Sequence, residues 1–356
     1  MLTDKKILFY TPDGNLTTNG VYASQVGGLA KYCESLGAQT MIWDNGLNRK
    51  LWFFQVARHF RDLAWQNRRL VDFKPTHIYA RTFYSAIAAK ELARKTGAKL
   101  VYSMRGADMA EALMAHNLRA LVIAVYSAIS VRRALRLADH VNSVSKTMAA
   151  WIARKFGKSA SVLPCCVAGT IKSDGWAEDG AVKTVVYSGG LSAWQKIDTI
   201  IGLMKKIGEA DPTIRFRFLT KDVEALKRKC AAVGLGEDRW SAKACKQCEV
   251  AEELAKADCG IIIRDNTLVN QVASPIKVGE YLAAGLGVIA SPFIGDVGKE
   301  LADKDFACLV DESTPVEKIV AFVKGMNLEK RKHATQWAKD HLTYEGNKAA
   351  VLEMFS

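Results

Sequence analysis

Short apolar runs alternate with longer stretches of helical periodicity along the whole chain. The segment Lys5-Lys6-Ile7-Leu8-Phe9-Tyr10-Thr11-Pro12 reads as a strand ending in a turn, and a helical pattern follows over residues 23–36. Further strands are predicted at 40–43, 77–80, 100–103 and 140–144, with helical stretches between them. The apolar pattern breaks at 168–181, where Gly169, Ser173, Asp174, Gly175, Glu178, Asp179 and Gly180 cluster. It restarts with strands at 182–188, 214–219, 240–245, 259–263, 288–291 and, more weakly, 307–310, and with helices at 197–209 and 223–233. Such alternation predicts parallel sheets whose loops, at the carboxyl ends of the strands, form a crevice. The expectation is an α/β protein of two tandem Rossmann-like, doubly wound domains at 1–167 and 182–328, joined by a linker at 168–181 and followed by helices over 329–356.

Length agrees, because 356 residues exceed one small core and suit two ordinary α/β domains. The longest apolar run, 120–131, is too short for the roughly 20 residues that cross a bilayer. The net charge of +13 is distributed unevenly. Residues 1–175 hold 25 Lys/Arg against 11 Asp/Glu, whereas residues 176–356 hold 25 against 26, so the whole excess lies in the first half. A field of that sign attracts an anionic partner. No zinc-finger spacing or RNA-binding aromatic signature accompanies it, so an anionic membrane surface is expected and nucleic acid is not. The eight cysteines are scattered. A lone Cys245-x-x-Cys248 with no second pair and no nearby histidine is a poor zinc site, and buried or incidental thiols in a reducing cytoplasm are expected.

The most informative stretch is Ala273-Ser274-Pro275-Ile276-Lys277-Val278-Gly279-Glu280-Tyr281-Leu282-Ala283-Ala284-Gly285. It predicts a helix with Pro275 at its first position and a glycine stop, followed by a buried strand. The start of such a helix favours phosphate, Lys277 adds a cation, and Glu280 one turn on offers an acceptor to ribose hydroxyls. The segment resembles the donor-site signature of GT-B glycosyltransferases of the family 4 type, in the variant Pro-x-Lys-x-x-Glu-Tyr-Leu. Three more pieces resemble the same family in order: Asn19-Gly20-Val21-Tyr22-Ala23-Ser24-Gln25-Val26, its N-terminal glycine loop; Ala138-Asp139-His140-Val141-Asn142-Ser143-Val144-Ser145, its strand before the hinge; and Leu163-Pro164-Cys165-Cys166-Val167, its exit from the first domain. The resemblance implies an interdomain cleft, a nucleotide diphosphate sugar as donor, no cofactor, retention of configuration, and a last helix that crosses back to the first domain.

The chain departs from that family in two places. Tyr187-Ser188-Gly189-Gly190-Leu191-Ser192-Ala193-Trp194-Gln195-Lys196 offers Gly190 and Gln195 where many members carry an arginine and a lysine, with Lys196 displaced by one. Val272 replaces the glutamate eight residues before Glu280, which leaves Asn270, Gln271, Ala273 and Ser274 as neighbours for the sugar. Arg264, at the end of an apolar strand, is the expected replacement cation for the diphosphate. Gly189 and Gly190 allow close approach of backbone to phosphate. On the acceptor side, Asp108 or Glu111 could orient a hydroxyl, Arg105 could hold a phosphate, and Arg81 is a further crevice candidate; each can equally be a charge at a helix start. His77, His116 and His140 read as structural. Asp303-Lys304-Asp305 has metal-binding spacing in a charged patch, away from any glycine loop, and reads as solvated surface, so no metal is expected.

Two basic amphipathic segments, 51–69 and 118–137, have the composition of helices that lie in a headgroup layer. Together these features predict a glycosyltransferase on the inner face of the plasma membrane, acting on a glycan or lipid-linked acceptor in the making of a bacterial surface polysaccharide. A nucleotide-sugar epimerase on the same scaffold and a non-catalytic sugar-binding subunit are the rival readings.

Overall fold

The computed structural model describes residues 1–12, 22–44, 68–114, 117–167, 171, 176 and 182–356. The chain forms two units, residues 1–168 with 347–356 and residues 169–346. The first contains a six-stranded parallel sheet of β1 (Lys6–Tyr10), β2 (Gln39–Trp43), β3 (His77–Ala80), β4 (Lys99–Ser103), β5 (His140–Ser143) and β6 (Ser161–Val162), in the order β2-β1-β3-β4-β5-β6. The registers are set by pairs such as Ile7 with His77 and Tyr79 with Val101. Apolar residues occupy both faces of β1, β3 and β4, as a sheet covered by helices on each side requires. Helix Phe83–Thr96 opens on Thr82, which shares a reciprocal capping box with Ser85, and closes on Gly97 at φ +72°.

The second unit has a parallel sheet of β7 (Thr184–Ser188), β8 (Arg215–Leu219), β9 (Trp240–Lys243), β10 (Cys259–Ile262), β11 (Gly287–Ala290) and β12 (Ala307–Leu309). Its order is β12-β11-β10-β7-β8-β9, the two-halved Rossmann arrangement in which strand order reverses between β7 and β10. Helix Ile197–Ala210 buries Ile197, Ile200, Ile201, Met204 and Ile207 in the core beside Phe216 and Phe218. A buried ion network ties the sheet to helix Leu328–His341. Asp258 accepts from Arg331 at 2.6 Å and from the Thr184 amide at 2.8 Å, with Lys183 Nζ 3.5 Å away.

The main differences from expectation lie at the ends of elements. The site helix runs Ile276–Ala283, so Pro275 is the residue just before it, with extended backbone, and not its first helical residue. β6 was not foreseen, since two residues carry no periodicity. Helix Leu328–His341 belongs to the second unit, held by Arg331, and only the segment from Asn347 onward, with helix Lys348–Met354, belongs to the first. There Phe355 packs against Phe9, Tyr79 and His77. All eight cysteines are free. No described helix is long and apolar enough to cross a membrane. The segment 51–67 of the first amphipathic stretch, the start of the glycine loop with Gly20, and His116 lie outside the described residues.

Candidate active site

The reversal of strand order between β7 and β10 leaves a crevice at their carboxyl ends, and the second unit concentrates charge there. β10 runs into Arg264, which is only 6% exposed. Its amide donates to Ser291 Oγ at 2.8 Å, which fixes where the side chain leaves the strand. The guanidinium donates to the Trp194 carbonyl at 2.7 Å and to Gln195 Oε1 at 2.7 Å, and lies over the Trp194 ring at 4.5 Å. Lys277, in the first turn of its helix, donates to the same Gln195 Oε1 at 2.8 Å and sits over the Tyr187 ring at 4.5 Å. Two cations thus converge on one neutral oxygen, and neither forms an ion pair among the described residues.

The electrostatic consequence falls on the lysine. Burial pushes the Lys277 ammonium down from its ordinary value to about 7, Arg264 adds repulsion, and the field of Glu280 offsets part of it. Arg264 is lowered as well, chiefly by burial. A site of this kind gains most from an anion, because an added negative charge relieves both the desolvation and the repulsion.

Tyrosines and glycines build the frame. The Tyr281 hydroxyl accepts from the Ser188 amide at 3.0 Å, and its ring fills the space where Gly260 has no side chain. Tyr187 donates to the Gly190 carbonyl at 2.6 Å. Gly189 has φ +141°, which L side chains rarely adopt, and a Cβ there would push aside the flexible end of the Lys277 side chain. At Gly190 a Cβ would meet nothing within 4 Å, which leaves open space above the loop.

The structure sorts the other candidates of this unit. Lys196, at φ +54°, pairs with Asp265 at 3.0 Å and not with the Lys277–Arg264 group. Asn270 turns its amide inward to the Asp265 carbonyl and Thr267 Oγ1 and so braces the loop. Val272 is fully buried, which removes any polar group from its position. Ser274 and Glu280 are half-buried around the start and the second turn of the helix. The sequence reading missed Tyr187 and Trp194 as supports of the cations; a tryptophan four residues after the glycine pair was the available signal.

In the first unit, Arg105 lies at the carboxyl end of β4. It donates to Gln25 Oε1 at 2.6 Å and to Cys165 Sγ at 3.1 Å, while Gln25 donates to the Cys166 carbonyl at 2.7 Å. Arg105 therefore knits three segments of this unit together. Arg81, after β3, stacks over Tyr22 at 4.8 Å, and its buried Nη1 has no hydrogen-bond partner among the described residues. Helix Asp108–Leu113 brings Asp108 and Glu111 onto one face, with Glu111 folded over Gly106. Burial, and then the charge of Glu111, raise Asp108 to about 7; burial also raises Glu111. No cluster of metal-ligating residues is present among the described residues, and Asp305 instead pairs with His333 at 2.8 Å.

Residues 30–166 match the Glycosyl transferase 4-like domain family. No curated protein matches the chain in sequence. Among solved structures, sucrose-phosphate synthase from Thermosynechococcus elongatus is similar at TM-score 0.77 and 13% identity, over 98% of this chain and 97% of that one. A glycosyltransferase from Rickettsia africae ESF-5 reaches TM-score 0.65 at 13% identity, over 98% of both chains. HepE of Anabaena, solved in complex with UDP-glucose, reaches 0.64 at 15% identity, also over 98% of both. Residues 30–166 are thus similar to the glycosyl transferase 4-like domain, and the chain as a whole shares the two-sheet GT-B fold of these solved structures.

Proposed function

We propose that the protein transfers a sugar from a nucleoside diphosphate sugar to a glycan or lipid-linked acceptor, with retention of configuration and without a metal. The observation that carries this reading is the pair Lys277 and Arg264, converging on Gln195 Oε1 at the β7/β10 switch point. Breaking the bond between sugar and diphosphate leaves negative charge on the departing oxygen. A preorganised cation pair beside a helix start stabilises that charge as it develops, without reorganising at the moment of reaction. Glu280, one turn along, receives the ribose hydroxyls. Asp108 and Glu111 orient the acceptor hydroxyl, and Arg81 and Arg105 bind an anionic group on the acceptor. The setting is bacterial surface polysaccharide synthesis, such as capsule or lipopolysaccharide, at the cytoplasmic face of an anionic membrane to which the basic first half is drawn.

The test is substitution with binding and turnover read separately. Lys277→Ala and Glu280→Ala are expected to abolish transfer while circular dichroism and the unfolding midpoint stay near wild type. Normal turnover in either variant removes the donor-site assignment. Binding of a nucleoside diphosphate without transfer to any acceptor would instead favour a non-catalytic subunit, a reading kept in view by Val272.

A further inference from the structure

Helix Leu118–Leu137 presents the surface least expected of a water-facing helix. Its buried residues, Ala120, Ala124, Ser127, Ser130, Val131, Ala134 and Leu135, are small or face the unit. Five of its large aliphatic residues point outward instead: Leu118 is 79% exposed, Leu121 52%, Val122 55%, Val125 53% and Ile129 65%. Their spacing puts all five on one stripe opposite the buried face, so they form a continuous ridge about 16 Å long. Leu113 and Met114, each 42% exposed, precede the helix on the same stretch of chain. The stripe then changes character. Arg132, Arg133 and Arg136 continue it, all exposed, and the helix contains no acidic residue at all.

We infer that this ridge is the element that enters a lipid bilayer, the aliphatic turns passing below the headgroups and the arginine turns lying on anionic phosphates. The inference rests on the membrane part of the function proposed above and names the residues that carry it. Exposed aliphatic surface of this continuity marks an interaction site. Segregation of charge along one stripe selects the partner, because a bilayer edge offers hydrocarbon and anionic headgroups side by side. A second copy of the same helix offers no carboxylate to pair with three arginines, and a nucleic acid offers nothing to five aliphatic side chains.

The experiment is flotation of the full chain with vesicles of phosphatidylcholine alone and with added phosphatidylglycerol. Wild type is expected to float with the anionic vesicles. Leu121→Ser with Val125→Ser should weaken this at least tenfold in low salt, and Arg132→Ala with Arg133→Ala and Arg136→Ala should remove the preference for anionic lipid. Uridine diphosphate binding, read by thermal shift, should stay at the wild-type level in both variants, so that failure of the ridge and failure of the donor site are separable. The inference is overturned if the serine variant floats like wild type. It is equally overturned if the protein in solution is a dimer that Ile129→Asp converts to a monomer, since a second copy then covers the ridge.

Discussion

If the proposed donor site is right, the lowered pKa of Lys277 makes diphosphate affinity fall as pH rises. The buried ammonium titrates near 7, so it is largely charged at pH 6.5 and largely neutral at pH 8.5. A diphosphate binds the charged form, and its own terminal phosphate, with a second pKa of about 6, stays ionised across this range. From the charged fraction alone, the Kd of uridine or guanosine diphosphate should rise about 25-fold between pH 6.5 and 8.5. Titration calorimetry in buffers of different ionisation enthalpy should show proton uptake approaching one per site at the upper end. The same lysine also marks stability. The unfolded chain holds the proton up to the ordinary lysine value of 10.5, so between about 7 and that pH the unfolded state binds more protons and stability rises with pH. The cost of burying the charge is in full force only below pH 7. Lys277→Met should flatten the affinity profile and remove this rise. A wild-type Kd that stays within twofold from pH 6.5 to 8.5, or an equal slope in the methionine variant, refutes the argument.

Two further outcomes follow from the frame of the second unit. Gly189→Ala places a side chain at φ +141° and against the Lys277 ammonium, so it should cost about 1–3 kcal/mol of stability and weaken diphosphate binding at least tenfold. Wild-type affinity in a folded Gly189→Ala protein would show that the lysine does not need its present position. Asp258→Asn leaves Arg331 and Lys183 facing a neutral amide in the interior, and chemical denaturation should register a loss of about 3–5 kcal/mol. A loss below about 1 kcal/mol would mean that the two cations find other partners, such as the carbonyls of Ala257 and Met326 that they already touch.

Some candidate site residues could be placed on their elements from sequence because their spacing is local. Lys277 and Glu280 sit three apart on one helix, and Gly189 follows a strand. Arg264 was legible only as a charge at the end of a strand. That it meets Lys277 on a shared oxygen depends on β10 lying beside β7, some seventy residues earlier in the chain. Lys196 shows the opposite case: it stands next to Gln195 in sequence, yet its left-handed backbone sends it to Asp265.

By itself the sequence determined the two parallel sheets, because the period of its apolar residues is a property of each segment and needs no partner. It determined the excess charge of the first half for the same reason. Only the tertiary structure decided which charges become neighbours, how far burial weakens Lys277, and which face of helix Leu118–Leu137 looks outward. The amphipathic character of 118–137 was legible in sequence, but only the fold shows that Ala120, Ala124, Ser127 and Ser130 pack against the unit while Leu118, Leu121, Val122, Val125 and Ile129 stay in solvent. Burial and proximity are set by contacts between distant segments, and those appear only once the chain has closed on itself.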